Sequence, residues 1–161
     1  MLLIILSWVY ILFSTITAGV VLDKILKLKS TDFVITTILG FFSITILASF
    51  WAIFGRINFE FHIGLIVFNT ISVLLYKNAI YSVYTNFWFT LKKLNTFLKF
   101  YLIVIFILIV AQCSSIPYVI DNESYYIQTI KWINEYGFVK GLVNLHFFLG
   151  QVSGWHITQS A

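Results

Sequence analysis

Asp121 and Glu123 are the residues best placed to do chemistry. They stand directly after an apolar run that closes at Ile120, and they open a polar tail that reaches Ala161. A carboxylate at the edge of a bilayer can act as general base toward an acceptor hydroxyl, with its pKa tuned by partial burial. Both acids also fit a purely structural role. Asp121 is a good N-cap for a helix that follows, and Glu123 falls in its first turn, where the helix dipole favours an anion. The two roles are compatible, because a capping acid is rigidly held. His146 and His156 lie further along the same tail. A histidine–acid cluster could hold a divalent metal, but their spacing is no ligand signature. Such histidines, like His62, read more readily as hydrogen-bonded residues of the membrane interface. A glycine-rich phosphate loop, a nucleophile elbow, His-Glu-x-x-His and Cys-x-x-Cys are all missing from the sequence. Soluble nucleotide-dependent chemistry is therefore not expected.

The elements that must hold these residues are membrane helices. The chain has 161 residues, of which 60% are hydrophobic and 10% charged. Soluble domains carry about 25% charged residues, so this chain cannot cover a water-facing surface. A bilayer core of about 30 Å needs roughly 20 apolar residues as helix. Residues 1–120 supply four such stretches, at about 2–22, 33–54, 61–76 and 98–120. Pro117 sits near the end of the fourth, where a missing amide is tolerated best. The expected fold is an all-α membrane protein of about four transmembrane helices, with amphipathic interfacial helices after the last. The N-terminus lacks the basic region of a cleavable signal peptide. Cys113 has no partner in the chain and reads as a small apolar residue facing lipid or a neighbouring helix.

The net charge of +4 reads as a topology signal rather than as affinity for nucleic acid, which is not an expected partner. Lys24, Lys27 and Lys29 lie between spans one and two, and Lys77, Lys92, Lys93 and Lys99 between spans three and four. Only Arg56 lies between spans two and three. Lys and Arg are retained on the cytoplasmic side, so the N-terminus and residues 121–161 are expected outside. Lys131 and Lys140 oppose this but are outnumbered. Residues 79–91 hold Tyr81, Tyr84, Phe87, Trp88 and Phe89 among polar neighbours, which suits an interfacial helix on the cytoplasmic side. The alternative is that span three continues through this segment, which would reverse everything downstream.

From Asn122 the pattern becomes helical and amphipathic. Tyr126, Ile127, Ile130 and Ile133 share one face, and Gly137 is a natural C-cap. A second surface helix is expected over the stretch holding Asn144, His146, Trp155 and His156. The chain stops at Ala161 inside what reads as an element, as expected of an N-terminal piece of a longer polytopic protein.

The stretch from Asp121 to Tyr126, with Gln128, Lys131-Trp132, Glu135-Tyr136-Gly137, Gly141-Leu142, Asn144-Leu145-His146, Gly150 and Ser153-x-Trp155, resembles an outer-loop signature. It belongs to an uncharacterised family of bacterial polytopic membrane proteins, which is in turn similar to the GT-C integral-membrane glycosyltransferases. The resemblance covers residues 121–161, about a quarter of the chain. It implies transfer of a sugar from a polyprenyl-phosphate donor at the outer face of a bacterial inner membrane, by single displacement at the anomeric carbon. Asp121 would be the base and Glu123 a helper or metal ligand. Tyr126, Trp132, Asn144, His146, Trp155 and His156 would contact substrate. The implied partners are membrane lipid, the polyprenyl-phosphate sugar and further C-terminal spans. No particular cofactor is called for with certainty, and a divalent metal stays open. Phe148 stands where the family usually has an arginine, so any donor-phosphate contact made by that arginine is lost, and this chain alone is expected to be inactive. The competing reading is a non-enzymatic multi-pass protein, such as a scaffold or a component of a polysaccharide flippase or polymerase.

Overall fold

The computed structural model of the protein describes residues 2–115, 125–145, 147–150 and 152–161. The described residues contain no strand, and four helices among them are long and apolar enough to cross a membrane. These are α1 (Leu2–Leu26), α2 (Phe33–Phe54), α3 (Phe59–Lys93) and α4 (Thr96–Cys113). Two shorter helices, α5 (Ile127–Tyr136) and α6 (Gly154–Ser160), flank 3-10 turns at Leu142–Asn144 and Phe147–Gly150. The protein is an all-α, multi-pass membrane protein.

Burial follows the rules of lipid as solvent. Leu2, Leu3, Ile38, Phe50, Leu74 and Ile107 are exposed, while Ser14, Thr15, Thr17, Ala18 and Thr36 are buried. In lipid, apolar side chains gain little by turning inward, so small residues that let helices approach take the interior. Three of these buried hydroxyls bond one turn back: Thr15 donates to the Ile11 carbonyl, Thr17 to that of Phe13 and Thr36 to that of Asp32. A spanning helix needs no outside partner for its backbone, which is why such segments are helical at all.

The chain divides into two compact units, Met1–Gly40 with Ser72–Pro117, and Phe41–Ile71 with Tyr118–Ala161. In the first unit the core is Ile16, Val20, Ile80 and Val83, with Phe33, Tyr76 and Tyr84 packed against it. Phe33 also stacks on Phe87 at 4.0 Å. Gly19 and Gly40 bring α1 and α2 to backbone contact: a Cβ on Gly19 would lie 2.0 Å from the Thr36 carbonyl oxygen, and one on Gly40 1.8 Å from that of Thr15. The loop from α1 to α2 is held by Asp23, whose buried carboxylate accepts the Ser30 amide at 2.8 Å. Asp32 then caps α2 by accepting the Ile35 amide at 2.9 Å.

α3 covers both residues 61–76 and the aromatic segment 79–91, and its backbone leaves the helical region at Tyr76 (φ −123°, ψ 23°). α4 starts at a side-chain cap, Asn95 accepting the Leu98 amide at 2.8 Å, and turns at Ser114. Pro117 and the expected cap at Asp121 lie outside the described residues. Cys113 is exposed at the end of α4.

Candidate functional site

The second unit carries the tail. α5 is a ten-residue helix whose buried residues are Thr129 and Ile133. Ile127, expected on the apolar face, is exposed instead. The register is set by backbone bonds to the turn between α2 and α3. The Ile57 amide donates to the Ile133 carbonyl at 3.1 Å, and the Phe138 amide to the Ala52 carbonyl at 2.8 Å. Asn134, with its amide turned to satisfy its neighbours, donates to the carbonyls of Ile57 (3.1 Å) and Ser160 (3.2 Å). Gly137 ends α5 at φ 75°, its amide donating to the Ile133 carbonyl at 3.0 Å. A positive φ and a carbonyl oxygen 2.4 Å from where a Cβ would stand both demand glycine. The turn it meets is itself braced, since Trp51 Nε1 donates to the Arg56 carbonyl at 3.0 Å and Arg56 pairs with Glu60.

α6 docks on the same unit through Thr158, which shares a 2.6 Å hydrogen bond with Thr45 of α2. Its start is a capping box. The Ser153 hydroxyl takes the N3 backbone amide, and the Ser153 amide donates to His156 Nδ1 at 3.1 Å. Nδ1 must therefore be bare, which puts the proton on Nε2. That nitrogen is buried without a hydrogen-bond partner. The His156 ring lies 5.0 Å from that of Tyr126, which stacks on Tyr125 at 4.7 Å.

Burial holds the His156 pKa below the ordinary histidine value. An unfolded histidine takes up its proton near about pH 6.5, while the folded one waits for a lower pH. Between the two values the unfolded chain holds more protons, so stability rises with pH there. This contribution is complete above about pH 6.5 and is lost as pH falls through the folded value. Thermal unfolding in detergent at pH 7.5 and 5.5 is expected to show a larger acid loss in the wild type than in His156→Gln, which cannot titrate. An equal loss in both would remove His156 as the cause.

Between α5, the segment after Gly137 and the two 3-10 turns lies a cavity of about 380 Å³. Thr129, Trp132, Phe138, Val143, Phe147 and Leu149 are among the residues that line it. Of the expected site residues, Trp132 lines this cavity and stands 5.1 Å from Tyr136, while Tyr126 and His156 meet each other. Asn144 and Trp155 are exposed. Asp121, Glu123 and His146 lie outside the described residues. Among the described residues, no three His, Cys, Asp or Glu side chains come together in a way that could hold a metal ion. Thr129 and Asn134 escape a reading of the sequence, and so does the capping role of Ser153. A signal existed for the last alone, because Ser153 and His156 have the spacing of a capping box with histidine in place of Glu or Gln.

Fold and tail together define a multi-pass helical membrane protein with a folded tail packed on the turn between its second and third helices. The chain belongs to the family described as Domain of unknown function (DUF8201), whose family model matches residues 1–161. Neither a curated protein nor a solved structure matches it.

Proposed function

We propose that the protein is the N-terminal part of a glycosyltransferase-like membrane protein, acting on a polyprenyl-phosphate sugar at the outer face of a bacterial inner membrane. The observation that carries this reading is the residue pattern of 121–161, which resembles the outer loop of the GT-C-related family. The folded tail is consistent with it. A surface that positions a substrate must be rigid, and Gly137, Asn134 and the Ser153–His156 box tie α5 and α6 down. In this reading Asp121 is the base toward the acceptor hydroxyl, and Tyr126, Trp132 and His156 belong to the substrate surface. The lysine asymmetry of the sequence, taken with a third span that ends at the Tyr76 bend of α3, supports placing that surface outside.

Asp121→Asn in the full-length protein is expected to lower sugar transfer from a labelled polyprenyl-phosphate hexose at least a hundredfold, the scale of a lost general base. Its amount in the membrane should stay the same. Undiminished transfer would sink the assignment. The second reading, a non-enzymatic lipid-handling component, draws on the near-absence of charge within the spans, since ion-coupled transporters carry ionisable groups there. Binding of the labelled lipid without transfer to any acceptor would favour it.

A further inference from the structure

Among the described residues of the tail, His156 Nε2 and the Thr129 hydroxyl are buried without a hydrogen-bond partner, and of the two it is Thr129 that lines the 380 Å³ cavity. Thr129 is 2% exposed. A helical threonine ordinarily donates to the carbonyl one turn back, as Thr45, Thr70, Thr85 and Thr90 do here. The residues just before its helix, Tyr125 and Tyr126, are π-helical rather than α-helical. In a helix threonine populates two rotamers, and rotation about χ1 exchanges its methyl and hydroxyl at the cavity wall. A buried donor without a partner is the kind of group a ligand satisfies.

The walls say what that ligand is. The cavity falls within the range of about 300–1,000 Å³ typical of small-molecule sites. The described residues that line it include no Lys, Arg or His to pair with a phosphate or a carboxylate. Around it Phe147, Val143 and, further along, Leu145 and Trp155 expose apolar side chains, beside the exposed Lys140 and Asn144. Such a patch suits contact with lipid rather than water.

We infer that this cavity takes one acyl chain of a membrane glycerolipid, with the chain's ester carbonyl accepting a hydrogen bond from the Thr129 hydroxyl. The ester is the neutral acceptor that sits at the head of an apolar chain. An isoprenoid chain has no such acceptor along its length, so the inference does not rest on the polyprenyl-phosphate reading above, although Trp132 is common to both sites.

The test is lipid retention by the detergent-purified full chain, read by native mass spectrometry. It uses a diester phosphatidylcholine, its diether analogue lacking the carbonyls, and a polyprenyl phosphate. The wild type is expected to hold one diester lipid about three- to tenfold more tightly than the diether, the scale of one neutral hydrogen bond. Thr129→Val, which keeps the shape and removes the hydroxyl, is expected to erase that preference while leaving diether binding unchanged. Val143→Trp, which fills the cavity, is expected to abolish retention of both. Equal binding of diester and diether by the wild type would overturn the proposal. So would a preference that survives in Thr129→Val, or retention of polyprenyl phosphate in place of the diester. Thermal unfolding of each variant separates lost binding from lost folding, and the diester–diether comparison in the wild type decides the question even if a variant fails to fold.

Discussion

Gly40→Ala is expected to separate α1 from α2 and to destabilise the protein by about 3 kcal/mol or more, the upper end of what overpacking costs in a packed interior. A Cβ at position 40 would stand 1.8 Å from the Thr15 carbonyl oxygen and 2.6 Å from its carbon. These are backbone atoms, so no rotamer change relieves the clash, and the two helices must move apart. The contact is reciprocal, since Gly19 meets the Thr36 carbonyl in the same way. Glycines that face carbonyls this closely place their Cα hydrogens where weak C–H···O bonds form, a common device between membrane helices. Separation would also strip the cover from Thr15, Ile16 and Thr36, each buried to 0% exposure. Gly64→Ala is the control, because the nearest atom to its Cβ is a Trp51 ring carbon at 3.9 Å. In detergent, Gly40→Ala should lower the unfolding temperature sharply and Gly64→Ala should leave it level or slightly raised. Equal unfolding temperatures in all three proteins would show that the helices do not meet at these glycines.

The parts of this architecture that can be read from sequence are those defined by one segment alone. A run of apolar residues long enough to cross the bilayer announces itself by length and composition, and this is why the all-α membrane fold is legible. The parts that escape depend on a partner. Gly19 and Gly40 sit on different helices, and nothing in either run marks it as the point of closest approach. The amphipathic pattern of α5 centres on Ile127, Ile130 and Ile133, yet the helix buries Thr129 with Ile133. Backbone bonds from Ile57 and Phe138 fix its rotation, and hydropathy contains no term for them. Gly137 is legible as a C-cap because glycine so often follows the end of a helix; its close approach to Gly55 is not. At the candidate site, Tyr126 and His156 stand far apart in the chain, and only folding reveals that their rings meet. Thr129 is the extreme case. Its significance lies in a hydrogen bond it does not make, and a sequence records no missing bonds.

Gly137→Ala is expected to release the tail from the turn between α2 and α3 while leaving the four long helices in place. Two effects add at this position. The backbone is at φ 75° and ψ −146°, a region open essentially to glycine alone, where a side chain costs about 1–3 kcal/mol. A Cβ would also lie 2.4 Å from the Gly55 carbonyl oxygen and 2.6 Å from that of Ala52. The Ala52 carbonyl is the acceptor of the Phe138 amide, so the methyl would invade the bond that anchors the segment after α5. Without that bond the Ile57–Ile133 link and the Asn134 contacts lose their geometry, and Lys131 and Lys140 become open to protease. Two measurements check this. Amide exchange at Ile57 and Phe138 should quicken by at least tenfold, and trypsin should cut at Lys131 or Lys140 much faster than in the wild type. A variant with unchanged exchange at both amides would mean that the tail is not held at Gly137. If the tail is the substrate surface, the same variant should lose sugar transfer while its membrane level holds. Loss of the anchor with full retention of transfer would separate the tail's packing from its proposed chemistry.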